Sequence, residues 1–394
     1  MTAEMKPANG SRRGGSAEPV FVTLQLSGGN DFLNTVIPYG DGQYYDYRVN
    51  TAIPEDHVLD IDGSLGFHPA MASFKELYDR GMVATVQGIG YPKSNRSHFR
   101  SMDIWHTAEP EKFATEGWLG RVIRELDPEK KNVVTGVSFG QGLPRAMVAP
   151  GTPVIAVAQL EGYGLLTSLP GQRQRKALAT FERMYVPEET EEAMMSLNHL
   201  GDTGKYALEG AALLRSASEG YVSSIEYGDD QLSQSLKAIA QVHLAGLGTR
   251  IFYANFGGFD VHALENKVQP GLWQKVSRAV TDFFADLEEH GATDEVVMMI
   301  FSEFGRRIRD NGGGTDHGSG GGAFVVGNRV NGGLYGEYPS LDPDQQLDGD
   351  LHFNNDFRSL YSTVLDQWLN LNPAPIVNGT FEQFPGILAA PSSN

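Results

Sequence analysis

The stretch VFVTLQLSGGND, Val20 to Asp31, decides the fold. It reads as a buried strand that stops at a glycine turn and delivers Asn30 and Asp31 at its carboxyl end. Two later stretches repeat the plan. TRIFYANFGGFDVH (Thr249–His262) ends in a glycine turn carrying Asp260 and His262, and EVVMMIFSEFG (Glu295–Gly305) ends at Ser302 and Glu303. Shorter strands are expected over Met82–Ile89, in TPVIAVAQ (Thr152–Gln159) and in GAFVVG (Gly322–Gly327). Amphipathic helices separate them: Met71–Arg80, a helix entered at Ser97 that holds Phe99, Met102 and Trp105, Leu272–His290, and a closing helix in DFRSLYSTVLDQWLN (Asp356–Asn370). Apolar strands alternating with such helices predict an α/β fold, with a mostly parallel central sheet covered by helices on both faces. In such sheets the ligand sits at the carboxyl ends of the strands, where Asp31, Asp260, His262 and Glu303 fall.

The 394 residues suit one large catalytic domain over 19–394, behind a flexible tail over 1–18. Helical periodicity and charged stretches such as VPEETEEAMMSL mark residues 172–245 as solvated helix or lid. A formal net charge of −18 argues against a nucleic-acid or anionic-membrane partner. No run of 18 apolar residues occurs, so no membrane span is expected. SRRGG near the start is similar to an export signal, yet no separate apolar core follows it; a cytoplasmic and an exported protein both stay open. With no cysteine, thiolate ligands, thiol nucleophiles and disulfides are excluded. A metal site must therefore use imidazole, carboxylate and neutral oxygens.

Five groups stand after strands or at loop ends: Asp31, Ser97 with His98, Asp260 with His262, Ser302 with Glu303, and Asp316 with His317. One or two divalent ions (Zn, Mn, Ca or Mg) would use about this many ligands, and the ions would relieve the mutual repulsion of the carboxylates. Asp31 reads equally as a turn residue. Glu303 ends an apolar strand, where an unpaired carboxylate is costly. It reads as a ligand, with a salt bridge to Arg306 or Arg307 as the structural alternative. In GTDHGSGGGAF (Gly314–Phe324) the glycines serve no core, and they are read as leaving room for His317, with Asp316, to reach an ion beside substrate. Ser97 at a helix start faces free N–H groups and suits an anion or a nucleophile, with Arg96 and Arg100 flanking it to bind anionic oxygens.

The blocks LQLSGGNDFLNTVIPYGD, RSHFRSMDIWHTA, FGGFDVH and FSEFGRRIRDNGGGTDHG, in this order from Phe21 to about Leu371, resemble those of the DUF1501 family, which is grouped with the alkaline phosphatase and sulfatase superfamily. The resemblance implies a three-layer sandwich of that kind. It also implies a metal-dependent hydrolase of phosphate or sulfate esters, acting on an anionic small-molecule or saccharide ester. Asp31 would bind one metal, Ser97 would be the nucleophile, Asp260 and His262 would bind the other metal, and His317 would be the last ligand. Two departures stand out. Glu303-Phe304 replaces the usual Asp-His, with His98 available to supply the imidazole, and Phe32 follows Asp31 where glycine is usual. An alternative alignment makes Asp316-His317 the Asp-His element and puts Glu303 behind the ligands. The rival function is a non-catalytic scaffold that binds a metal, a carbohydrate or a partner.

Overall fold

The computed structural model describes residues 18–160, 172–173, 176, 180 and 191–389. Among these, nine strands form one sheet: β1 (Val20–Ser27), β2 (Val83–Gly90), β3 (Gly136–Phe139), β4 (Ile155–Val157), β5 (Ile251–Gly257), β6 (Val296–Phe301), β7 (Gly321–Val326), β8 (Gly333–Tyr335) and β9 (Asn355–Asp356). Their spatial order is β8-β2-β7-β6-β1-β5-β3-β4, with β9 also on β2. Every pair is parallel except the two that β7 makes with β6 and β2. The expected mostly parallel sheet is present.

Strand β1 holds the centre, and its alternation explains why. Val22, Leu24 and Leu26 point into one apolar layer with Phe74, Trp273, Val276 and Phe283, while Phe21 joins Trp105, Trp118, Tyr253 and Tyr361 on the other face. The first layer is closed by helices α1 (Ala72–Asp79), α5 (Gln231–Leu244) and α6 (Glu265–Glu289). The second is closed by α2 (His98–Thr107), α3 (Trp118–Leu126) and α7 (Phe357–Gln367). Register then sets the site. Ser27 of β1 lies opposite Gly257 of β5, and Gln25 lies opposite Phe301 of β6, so β1 and β5 end level, β6 ends two residues short of them, and all three release their loops at one edge.

Helix α6 begins at Glu265, seven residues before the expected start, and carries Pro270 inside it. Helix α4 (Glu191–Ser216) and α5 fall in the stretch read as a lid. Most of that stretch before residue 191, like the tail before residue 18, lies outside the described residues. Helix α5 packs on α6 and β5 as part of the helical layer.

Candidate metal centre

Three loops meet at this edge. Gly28, just past β1, takes φ +122°, and a Cβ there would stand 2.3 Å from the Asp260 backbone nitrogen. Only glycine allows the β1 and β5 loops to touch in this way. Gly314 does the same for the third loop, because its Cβ would stand 2.5 Å from the His262 carbonyl carbon. The glycines around His317 were expected to leave room for substrate. Here Gly314 serves backbone-to-backbone packing, which seats the His317 loop directly on the His262 loop.

The side chains brought together are His98, Asp260, His262 and His317. His317 Nδ1 lies 2.8 Å from the Arg96 carbonyl oxygen, which only accepts, so Nδ1 carries the hydrogen. His262 Nδ1 lies 3.0 Å from Asp316 Oδ1. The hydrogen bond from His262 also holds the Asp316 carboxyl below its ordinary range. His98 Nδ1 lies 2.8 Å from Glu303 Oε1, which also accepts the Gly28 N–H at 2.9 Å. In the neutral form all three rings therefore present a bare Nε2 lone pair. Those lone pairs converge: His262 Nε2 and His317 Nε2 stand 3.0 Å apart, each 2.9 Å from Asp260 Oδ1. His98 Nε2 stands 3.3 Å from Asp260 Oδ2, buried and without a hydrogen-bond partner.

So many acceptors facing one another lack positive charge, which a proton or a metal ion must supply. Arg306 supplies part of it. Its guanidinium, 1% exposed, lies 2.9 Å from Asp260 Oδ1 and also donates to the carbonyls of Gly28, Gly29, Phe259 and Thr315. One side chain thus ties all three loops. Burial works against the Asp260 charge, but a hydrogen bond from His317 in its protonated form and one from Arg306 hold its carboxyl far below the usual range. Among the described residues, His98, Asp260 and His317 form the group whose ligand atoms all lie within 4.8 Å of one another. An imidazole whose far nitrogen is fixed by an oxygen is the usual arrangement behind a metal ligand. The residues fit a divalent ion.

The other expected site residues stand elsewhere. Glu303 and Asp316 sit behind the cluster, each holding the Nδ1 of one imidazole, and Arg306 pairs with Asp260 rather than with Glu303. Phe304 lays its ring against His98 and His317 with centroids 5.0 Å from each. Ser97 is the N-cap residue of α2, yet its hydroxyl caps nothing, and the residue is exposed. The flanking arginines are not offered to an anion. Arg96 binds Asp350 at 2.8 Å, and Arg100 binds Asp103 at 2.6 Å together with three carbonyls.

Asp31 was expected among the ligands, and the structure seats it against Arg48 instead. Both carboxylate oxygens face that guanidinium, Oδ1 at 2.8 Å, and Arg48 is fully buried. Glu265 lies 3.9 Å from the same guanidinium. Nothing in the sequence marks Arg48, because its partners lie far along the chain. Two carboxyls around one cation cannot both ionise cheaply. Burial, and then the Asp31 charge, push Glu265 up to about 9, whereas for Asp31 burial is outweighed by Arg48 and its value is lowered. A raised folded value means that Glu265 contributes stability in full below its ordinary 4.5 and loses it as pH climbs through about 9. Glu265→Gln should therefore change stability by less than about 1 kcal/mol near pH 4.5, and it should flatten the decline between pH 5 and 9 in urea melts, so that the variant overtakes its parent as pH rises. An unchanged decline would place the shared proton elsewhere. A second expectation concerns Glu303: Glu303→Gln should weaken divalent-ion binding about 10-fold, read by competition with a chromogenic chelator.

A family model described as "Protein of unknown function (DUF1501)" matches residues 20–370. No curated protein matches the sequence. Solved structures similar to this chain include a protein in the alkaline phosphatase superfamily from Vibrio parahaemolyticus, with 9% identity over 91% of this chain and 70% of that one at a TM-score of 0.41. A sulfatase from Pseudoalteromonas sp. has 11% identity over 95% and 71% at a TM-score of 0.37. A phosphonate monoester hydrolase from Silicibacter pomeroyi has 12% identity over 96% and 78% at 0.38. With the match running from the first strand past the closing helix, the chain belongs to the DUF1501 family.

Proposed function

We propose that the protein is a divalent-metal-dependent hydrolase of phosphate or sulfate esters, reacting where His98, Asp260 and His317 meet. The convergence of three Nε2 lone pairs on one carboxylate carries this reading. Two imidazoles and a carboxylate favour zinc or manganese over calcium or magnesium, which prefer oxygen donors. The bound ion would polarise the ester oxygen and neutralise charge as it develops. His262 borders the same carboxylate and would complete the ligand set or hold a proton at Nε2. Ser97 is the nucleophile in this scheme. It precedes His98, its hydroxyl is uncommitted, and the free N–H groups of the first turn of α2 would hold substrate oxygens. The seryl oxygen bonds to phosphorus or sulfur, the ester alcohol leaves with a proton, and water then releases the acid.

Metal analysis and a panel of phosphate and sulfate esters test it. The purified protein should hold at least one near-stoichiometric ion that chelator removes. Ser97→Ala should keep that ion, lose about 10³-fold in turnover and cost under about 0.5 kcal/mol of stability, since no cap bond is lost. Turnover that survives Ser97→Ala would remove the nucleophile from the scheme. The engagement of Arg96 and Arg100 with carboxylates favours a second reading, a scaffold that binds the ion without hydrolysis. It predicts the ion and no turnover on any ester of the panel.

A further inference from the structure

A cleft of about 530 Å³ opens beside the cluster, between α2 and the ends of β1 and β5. Its volume lies in the range of sites for small organic ligands. We infer that it is the subsite for the organic part of the ester, and that it takes a flat apolar ring carrying an oxygen acceptor, such as an aryl group. The inference rests on the hydrolase reading and adds the substrate class to it.

The wall comes from one face of α2. His98 and Asp260 belong to the cluster, and Phe99 and Met102 continue from them along the cleft. Phe99 is 92% exposed, an aromatic ring that packs in no core although it stands at the mouth of a cavity. Such a ring can stack on a flat partner. The floor is polar and ordered. His106, 8% exposed, lies 2.9 Å from Gln25 Oε1 and 3.0 Å from the Tyr253 hydroxyl. Burial lowers the His106 imidazole to about 4, so it is neutral in this network. With its oxygen held there, Gln25 directs its amide N–H to Ser27 Oγ at 2.6 Å. Ser27 therefore receives one hydrogen bond and keeps its own hydroxyl hydrogen for a ligand. Arg145 closes the far side. Its Nε pairs with Asp103 at 2.9 Å and one terminal nitrogen bonds the Ala114 carbonyl, which leaves the other for the cleft. A ring held on Phe99 would thus meet two donors, Ser27 and Arg145, at its far edge.

Gly257 gives the means of testing this without disturbing the cluster. It lines the cleft, a Cβ there would meet no heavy atom within 4 Å, and its φ is not in the left-handed region. A valine at this position is therefore expected to fold and to narrow the cavity. The probes are phenylphosphonate against methylphosphonate, and phenylsulfonate against methylsulfonate, titrated calorimetrically into protein loaded with zinc or manganese. In at least one pair the phenyl member should bind about tenfold more tightly, and in Gly257→Val and Phe99→Ala that ratio should fall to about one. Equal binding of phenyl and methyl members in the parent overturns the subsite and leaves the hydrolase reading intact. A ratio that survives both substitutions places the ring elsewhere and overturns it too. Failure of all four probes to bind overturns the hydrolase reading and the subsite with it.

Discussion

Asp260→Asn is expected to abolish retention of the divalent ion, and turnover with it, while leaving the metal-free protein folded. The expectation follows from the position of one oxygen. Asp260 Oδ1 faces His262 Nε2, His317 Nε2 and an Arg306 nitrogen, each at 2.9 Å. Without an ion, the imidazole lone pairs have too few hydrogens among them. An asparagine keeps the shape and introduces an N–H₂ that can donate to one of those nitrogens. Arg306 loses a charged partner but keeps four backbone carbonyls. The metal-free state thus keeps most of its hydrogen bonds, whereas the metal-bound state loses the anionic contact that Asp260 makes. Thermal melts with and without added zinc or manganese read the difference. An ion present at about 100 times its dissociation constant adds about 2.7 kcal/mol, which raises the parent's Tm by roughly 3 °C. That rise should vanish in Asp260→Asn. An equal rise in both proteins would show that the ion binds away from this carboxylate.

The parts of this site legible in the sequence are those set by short-range pattern. The ends of β1, β5 and β6 follow from apolar runs stopped at glycine or at a polar residue, and Asp260 and His262 follow from them. The helix start at Ser97 and the place of His317 among glycines are equally local. Strand β3 was missed because GVSF is four residues long and carries no periodicity, although it pairs with both β5 and β4. The true start of α6 was missed because Pro270-Gly271 reads as a breaker; tertiary packing carries the helix through it. The roles within the site were least legible. Glu303 and Asp260 both look like carboxylates at strand ends, and only the fold puts one behind His98 and the other in front of it. Arg145, which reaches the cleft from 42 residues beyond Asp103, carries no local signal at all. A partner contributed by a distant loop leaves no period to read.

Arg48 carries the largest expected effect on folding. Arg48→Met should cost about 3–5 kcal/mol, because it keeps the bulk of the side chain and removes the guanidinium that faces two buried carboxyls. Asp31 is 5% exposed and Glu265 1% exposed, so neither can turn to water for solvation. Asp31 would have to take up a proton, and its value, now lowered by Arg48, would move above the ordinary carboxylate range. The sign follows. In the parent, the Asp31 contribution is present above its ordinary 3.8 and is lost as pH falls below that. In Arg48→Met the loss should instead extend upward toward neutrality, so the substituted protein should be most destabilised at high pH and partly recover on acidification. Geometry couples this pair to the metal centre. Arg48 also donates to the Ile308 carbonyl at 2.6 Å and the Arg307 carbonyl at 3.1 Å, next to Arg306, and Thr315 Oγ1 donates to Glu265 at 3.0 Å. The loop that carries His317 is held by the same buried group. Asp31→Asn combined with Arg48→Met removes both charges, and the double substitution should cost clearly less than the sum of the two singles in urea unfolding. Additive losses would mean that Asp31 draws its stability from a partner other than Arg48, and they would reopen it as a ligand.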